Sequence, residues 1–254
     1  MAFTWLHYAL ALAAGAAAGL VDAIAGGGGM ITVPTLLALG LPPHLALGTN
    51  KLQSTFGSAT AALRYRGHGL VRVREVWFGV LMTACGAAVG TIAVQFLDAQ
   101  VLRRIVPVLL CAVFVYFLVM PRPRAQAQHA RLPHYLFYSM CGLAIGFYDG
   151  FFGPGTGSFW ALALVSLASV PLLQATAITK VMNCTSNAVA LLAFMLGGNV
   201  VWGIGLVMGV GEICGAWLGT HLALRRGARF IRIVLLVVVA ATIAYLVQQQ
   251  LGQR

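Results

Sequence analysis

Long apolar stretches separated by short, arginine-bearing connectors dominate this sequence. Eight of them are about 20 residues long, the length of helix that crosses a bilayer core; they are residues 4–25, 44–63, 76–97, 101–120, 134–152, 172–196, 199–224 and 229–247. Only 8% of the residues are charged and 60% are hydrophobic, whereas a soluble domain is about 25% charged. Too few charges remain to cover a water-facing surface. The sequence therefore predicts an all-α integral membrane protein with about eight transmembrane helices.

The net charge of +11 would ordinarily suggest a nucleic-acid partner. Its distribution argues against one, because 13 of the 14 arginines lie in clusters between apolar stretches, at residues 64–74, 103–104, 122–131 and 225–232. Arginines in such positions orient membrane spans and anchor them to lipid headgroups. We therefore expect the lipid bilayer as a partner and no nucleic acid.

An internal repeat divides the chain at its midpoint, where the longest polar connector, residues 121–133, separates two similar halves. Four blocks match in the same order: 19–28 with 146–155, 46–54 with 175–183, 85–91 with 214–220, and 104–106 with 232–234. A repeated pattern of this kind indicates a duplicated structural unit. We interpret residues 1–120 as the first transmembrane repeat, 121–133 as a linker and 134–254 as the second repeat, with about four spans in each.

The relative orientation of the two repeats stays open at the level of sequence. Four full crossings in each repeat would make them parallel. The connector after the second span of the first repeat carries four arginines, whereas its counterpart, residues 197–199, carries none. Under the positive-inside rule this difference favours opposite orientations, which would require a half-crossing or re-entrant segment somewhere in the chain.

Two glycine-rich interruptions break the apolar pattern at matched positions, residues 26–29 and 153–158, and each is followed by a short apolar segment, 30–40 and 158–170. Such runs do not continue a helix well, and irregular backbone in a membrane must line a cavity or be buried in protein. We expect broken or re-entrant helices whose N-termini bind an anion; close helix packing is the alternative. The candidate residues are Gly27, Gly28, Gly29, Gly155, Thr156, Gly157 and Ser158.

The chain has only two lysines, Lys51 and Lys180, and both lie inside apolar spans at matched positions. A charged residue at membrane depth is costly and marks a functional site by default. We interpret them as cations that face a central cavity, with snorkelling to an interface as the alternative. Polar residues on the same helices complete the predicted cavity lining: Thr49, Asn50, Gln53, Ser54, Asn183 and Asn187.

Three acidic residues also fall within apolar segments. Asp22 and Asp149 are matched, each four residues before a glycine break, and we favour a structural role in which each caps the following short helix or pairs with a lysine. Proton acceptance during transport is the alternative. Glu212 has no acidic counterpart in the first half, and both proton coupling and charge pairing remain open for it.

No catalytic constellation is evident. The six histidines form no HExxH pattern or cluster with acids, and no GxSxG nucleophile motif is present. The GGGG run lacks the GK[ST] of a phosphate-binding loop. We therefore expect no enzymatic activity, no catalytic residue, no metal site and no cofactor.

At the segments Gly26–Pro34 and Gly40–Asn50 the chain resembles the sulfite exporter TauE/SafE family, also called TSUP permeases. The resemblance covers nearly the whole chain, because the second half repeats the pattern, although Gly-Pro-Gly-Thr-Gly replaces the all-glycine run there. It implies a bacterial inner-membrane, multi-pass carrier of small sulfur-containing or carboxylate anions such as sulfite and sulfoacetate. It does not imply an ATPase partner.

The residues and the resemblance together predict a secondary transporter of small anions, such as sulfur oxyanions or organosulfonates, that works by alternating access at a midplane site between the repeats. An anion channel and a non-transporting membrane assembly protein are the alternatives. Proton coupling and a homodimer stay open. The glycine faces that would permit close packing, inside one chain or between two, are Gly86, Gly90, Gly215 and Gly219.

Overall fold

The computed structural model describes residues 3–119 and 132–251, with side chains at all of these except 113, 114, 116–119 and 227–251. Within these ranges the backbone forms nine α-helices and no strand. The helices are α1 (Trp5–Ala25), α2 (Gly29–Ala38), α3 (Pro43–Gly67), α4 (Val73–Gln95), α5 (Ala99–Val119), α6 (His134–Phe151), α7 (Thr156–Leu167), α8 (Leu172–Leu196) and α9 (Trp202–Leu251). Most of the predicted linker, residues 121–131, lies outside the described residues.

Four helices of the described part are long and apolar enough to cross a membrane: α1, α4, α8 and the segment Trp202–Arg226 of α9. α2 and α7 are the short apolar helices that the glycine breaks predicted. The sequence predicted two separate spans at 199–224 and 229–247. In the structure one continuous helix, α9, covers both. Their connector, residues 225–228, contains no proline and a single glycine, so nothing in it forces the helix to end.

Each glycine break ends one helix and starts a shorter one. α1 ends at Ala25 and is capped by Gly26, which has φ of +78°, and α2 begins three residues after Gly26. After α6, Gly153 and Gly155 have φ of +103° and +86°, and α7 begins at the next residue. Only glycine adopts this left-handed backbone without strain, which explains why the sequence places glycine at both breaks.

Two close helix pairs join the two halves of the chain. α1 packs on α9 with Gly15 against Met208 and Gly19 against Glu212, so the two helices run in the same direction. α6 packs on α4 in the same way. The predicted glycine faces lie in these seams: Gly86 and Gly90 contact α6, and Gly215 and Gly219 contact α1, with backbone so near that an added Cβ would overlap a carbonyl oxygen. These glycines therefore serve packing inside one chain.

The remaining contacts fix the direction of the central helices. α3 runs parallel to α9, since Gly205 lies beside Leu52 and Gly57 lies beside Glu212 further along both helices. α8 runs parallel to α4, since Met182 lies near Gly79 and Gly197 near Gln95. α3 and α8 are antiparallel, with Gly48 near Phe194 and Ser58 near Cys184. Hence α1, α3 and α9 point one way and α4, α6 and α8 the other.

The distribution of polarity is that of a membrane protein. Large apolar side chains face outward, with Trp5, Phe96 and Leu196 at least 85% exposed. Lys51 and Lys180 are fully buried, and Asp149 and Glu212 are at most 2% exposed. An outer surface of this kind suits lipid rather than water, so the polar interior is where the chain carries its chemistry.

Candidate functional site

Two ion pairs cross between the halves of the chain. Lys51 on α3 lies with Nζ 2.7 Å from Oδ1 of Asp149, near the end of α6. Lys180 on α8 lies with Nζ 2.9 Å from Oδ2 of Asp22, near the end of α1. Each lysine thus pairs with the aspartate of the other half. Lysine pairing is one of the two structural roles favoured for the aspartates from the sequence, and it places neither lysine at a cavity surface.

The Lys51 pair is the more completely enclosed of the two. The side chain of Asp149 is 3% exposed, against 18% for Asp22. The Lys51 ammonium also donates to the main-chain carbonyl of Asp149, and Ser186 donates its hydroxyl to Asp149 Oδ2. A buried ion pair is stable only when its remaining lone pairs and protons are satisfied in this way. The Lys51 pair therefore acts as a fixed brace between α3, α6 and α8.

The two glycine breaks meet at the centre of the molecule. Gly26 lies directly on Gly157, so that a Cβ at Gly26 would come within 2.5 Å of the Gly157 carbonyl carbon. Gly29 lies on Pro154 in the same way. Ser158 donates its hydroxyl to the carbonyl of Ala25 at 2.8 Å. This contact needs residues without side chains, which is a second reason, beyond backbone conformation, for the glycines of both breaks.

A polar cavity lies where the breaks meet. Its volume is about 20 Å³, room for about one water molecule. Of the predicted site residues, those that line it are Asp22, Gly29, Asn50, Ser54, Asp149, Gly155, Thr156, Gly157, Asn183 and Asn187, joined by Gly26 and Gly153. Sequence reasoning left out these last two glycines, although they belong to the same two glycine runs.

The other predicted residues lie just behind the cavity. Thr49 accepts a hydrogen bond from the Val201 amide at 3.0 Å, which ties α3 to the start of α9. Gln53 donates to Asn50 Oδ1 at 2.9 Å and to Ser54 Oγ at 3.0 Å, and so orients two lining residues. The residues that do not line the cavity are Gly27, Gly28, Thr49, Lys51, Gln53, Ser158, Lys180 and Glu212. They support the lining rather than form it.

Hydrogen-bond donors lie at the starts of both short helices, beside this cavity. The amides of Gly27, Gly28 and Gly29 at the start of α2, and those of Gly155 and Gly157 at the start of α7, make no backbone hydrogen bond to described residues. The free amides and the helix dipole give each helix start a partial positive charge that suits an anion.

Asn183 adds an unsatisfied polar group to the lining. Its side-chain oxygen is buried without a partner in the described part of the chain. A half-turn of the amide would place its NH2 donor at the same position. Buried polar groups without a partner are rare and mark a place for water or ligand.

Glu212 occupies a separate position behind the Lys180 pair. It is 1% exposed on α9, with its side chain against Gly57 of α3 and its backbone against Gly19 of α1. Asp22 and Lys180 are the charged groups that act on its carboxyl. Within residues 3–119 and 132–251 no group of three or more His, Cys, Asp or Glu is placed to hold a metal ion.

Comparison with known proteins finds one family model and several similar membrane transporter proteins. The family model described as sulfite exporter TauE/SafE matches residues 11–246. The probable membrane transporter protein YfcA of Escherichia coli strain K12 is 42% identical over 236 residues, which are 93% of this chain and 88% of that protein. A probable membrane transporter protein of Haemophilus influenzae is 42% identical over 88% of both chains. The probable membrane transporter protein ORF9 of a Sinorhizobium species is 45% identical over 87% of this chain and 85% of its own length. No solved structure matches the chain.

Proposed function

Because the chain belongs to the sulfite exporter TauE/SafE family of membrane transporters, we propose that it is a secondary transporter of small anions. The proposed substrates are sulfur oxyanions and organosulfonates, such as sulfite and sulfoacetate. The observation that carries the proposal is the meeting of two helix N-termini, with free amides, at one polar cavity between the two halves. The same amides suit a carboxylate, so carboxylates belong in the test.

The proposed substrate site uses neutral donors rather than the lysines. The glycine amides would bind the anion's oxygens, and the hydroxyls of Ser54 and Thr156 and the side-chain amides of Asn183 and Asn187 would complete its shell. Each lysine is compensated by an aspartate, so the ion pairs contribute rigidity rather than net positive charge. A site of this kind holds an anion without the desolvation cost of a bare cation.

The proposed mechanism is alternating access between inverted repeats. In support, α1, α3 and α4 run opposite to their matched helices α6, α8 and α9. A cavity of about 20 Å³ is too small for an anion of four or more heavy atoms, so the described conformation is closed. Substrate would bind when the two breaks move apart toward one side of the membrane, as in other transporters with paired broken helices.

The arginines support an orientation in the bacterial inner membrane. The end of the bundle that carries the α3–α4 connector and the middle of α9 has six arginines among the described side chains, and Arg64 lies over the Trp217 ring at 4.6 Å. The opposite end has two, Arg103 and Arg104. We place the richer end in the cytoplasm. Since α1 runs parallel to α3, its start then lies on the periplasmic side.

Ligand-dependent thermal stabilisation of the purified protein tests the substrate class. Sulfite, sulfate, thiosulfate, sulfoacetate, taurine and short carboxylates form the panel, because binding to the folded state raises apparent stability by mass action. We expect an anion to raise the melting temperature of the wild type and to do so less in Asn183→Leu. Thr185→Val is the matched control, since its hydroxyl bonds only to the Val181 carbonyl of the same helix. No shift with any anion would refute the proposed site.

Counterflow in liposomes separates a carrier from a channel. A carrier exchanges external labelled substrate for internal unlabelled substrate and transiently accumulates the label, whereas a channel lets the label equilibrate without accumulation. We expect transient accumulation of the anion that stabilises the protein. Equilibration without overshoot would favour the channel, and no flux of a bound anion would favour the non-transporting alternative.

A further inference from the structure

The buried charges of the described interior do not balance. Three carboxylates, those of Asp22, Asp149 and Glu212, lie there with only two ammonium groups, those of Lys51 and Lys180. One negative charge is in excess, and an uncompensated charge at membrane depth is strongly disfavoured. The excess lies on the side of Lys180, because Asp149 and Lys51 form a closed one-to-one pair.

The carboxyl of Glu212 occupies a space beside Gly57. A Cβ at Gly57 would overlap Oε2 of Glu212, so the glycine leaves the volume that the carboxyl fills. The internal repeat matches Gly57 with Ser186 and Glu212 with Thr83. At the Lys51 pair, Ser186 donates to Asp149 and Thr83 carries no charge. Where the repeat gives the Lys51 pair a serine and a threonine, it gives the Lys180 pair a glycine and a glutamate.

We propose that Glu212 is the proton-binding residue of this transporter and that its proton is carried together with the anion. The inference rests on the transport function proposed above and deepens it. With a proton on Glu212, each lysine has one carboxylate, and the buried charge is balanced.

The neighbours of Glu212 give the proton a link to the cavity. From α1 it faces Asp22, and from α8 it faces Lys180. On α3 the residue at this level is Gly57, and beyond it lie Arg64, over the Trp217 ring of α9, and Tyr65, whose hydroxyl bonds to the Ala23 carbonyl. α5 also packs on α9, and its charged residues are Arg103 and Arg104, near its start. Lys180 is therefore the cation that Glu212 shares with Asp22.

Loss of the proton changes the charge at the substrate site. The O–H bond of Glu212 breaks, the electron pair stays on its carboxylate, and the proton passes to water on the open side. Glu212 then competes with Asp22 for Lys180. Asp22 lines the cavity and its side chain is 18% exposed, so a less well compensated Asp22 repels an anion bound there. Proton and anion therefore bind together, and the proposed transport is proton–anion symport.

Infrared spectroscopy of the purified protein in liposomes tests the proton directly and needs no substrate. A protonated carboxylic acid has a carbonyl stretch that a carboxylate lacks. We expect this band at neutral pH in the wild type, its loss in Glu212→Gln, and its retention in Thr83→Val, the matched change in the other half. If Glu212→Gln fails to fold, the double variant Gly57→Ser, Glu212→Thr rebuilds at the Lys180 pair the residues found at the Lys51 pair and gives the same reading.

Uptake of radiolabelled sulfoacetate into the same liposomes tests coupling. With the outside more acidic, we expect wild-type accumulation at least severalfold above the level without a gradient, and no effect of the gradient in Glu212→Gln, which keeps counterflow. A wild type without the infrared band, a band that survives in Glu212→Gln, or full gradient-driven uptake by that variant would overturn the proposal. Dependence on sodium rather than pH would also overturn it. A Glu212-dependent band with no flux of any anion would instead refute the proposed transport and support the protonation.

Discussion

Removing the Lys51 ammonium while keeping its volume should destabilise the fold more than the same change at Lys180. In Lys51→Met the carboxylate of Asp149, 3% exposed, keeps only the Ser186 hydroxyl as a side-chain donor. Breaking a buried pair by removing one partner costs about 3–5 kcal/mol, because an uncompensated charge stays buried. In Lys180→Met the side chain of Asp22 is 18% exposed, so hydration limits the expected loss to about 1–3 kcal/mol.

The assay is denaturant titration in mixed micelles, in which a shift of the midpoint at constant slope reports the change in the free energy of unfolding. The double variant Lys51→Met, Asp149→Leu provides the internal control. It removes both charges, and replacement of a buried pair by apolar residues of similar volume is often neutral. We therefore expect the double variant to recover about 2 kcal/mol or more of the loss seen in Lys51→Met.

Two results would refute this reasoning. If Lys51→Met stays within about 1 kcal/mol of the wild type, the ion pair does not brace the helices as its burial indicates. If the double variant is less stable than Lys51→Met, the loss arises from missing contacts rather than from a stranded charge. In either case the proposal that the Lys51 pair braces α3, α6 and α8 around the cavity would have to be abandoned.

Three further predictions follow from backbone contacts and from orientation. Gly57→Ala should cost about 1–3 kcal/mol by overpacking against the Glu212 carboxyl, and a double-mutant cycle with Glu212→Ala should return most of that loss. Gly26→Ala should prevent accumulation of folded protein, since φ there is +78° and the opposite break lies within 2.5 Å; Gly67→Ala, which meets nothing within 4 Å, should stay within about 0.5 kcal/mol of the wild type. In a variant without native cysteines, His68→Cys in the α3–α4 connector should resist a membrane-impermeant thiol reagent in intact cells, whereas a cysteine in the α4–α5 connector should react. The reverse labelling would contradict the orientation.

The glycine breaks and α9 show how much of the helix pattern can be predicted from the sequence. Glycine runs inside apolar stretches predict broken helices, because glycine both weakens a helix and permits positive φ, and α2 and α7 begin where the runs end. The apolar pattern predicted a break between 224 and 229 that α9 does not have, since a short arginine-bearing segment without proline can continue as helix. The number of complete membrane crossings remains a prediction.

The sequence predicted most residues of the candidate site but not how they are arranged. The residues of the lining come from segments that the sequence singled out, because polar side chains at membrane depth are conspicuous there. The positions of the lysines were not predictable. The sequence placed them at a cavity, whereas the fold places them behind it in pairs with Asp149 and Asp22, each on a helix about 100 or more residues away in the chain.

By itself, the sequence determined that this chain is helical and apolar, where its helices break, and which few polar residues must share its interior, since each of these follows from local composition and period. Tertiary structure decided which groups meet: the two breaks at one cavity, each lysine with the aspartate of the other half, and Glu212 in the space left by Gly57. These are contacts between distant segments, and they depend on how closely helices approach and in which direction they run. The glycines that permit that approach are visible in the sequence, but the partner that each of them contacts is not.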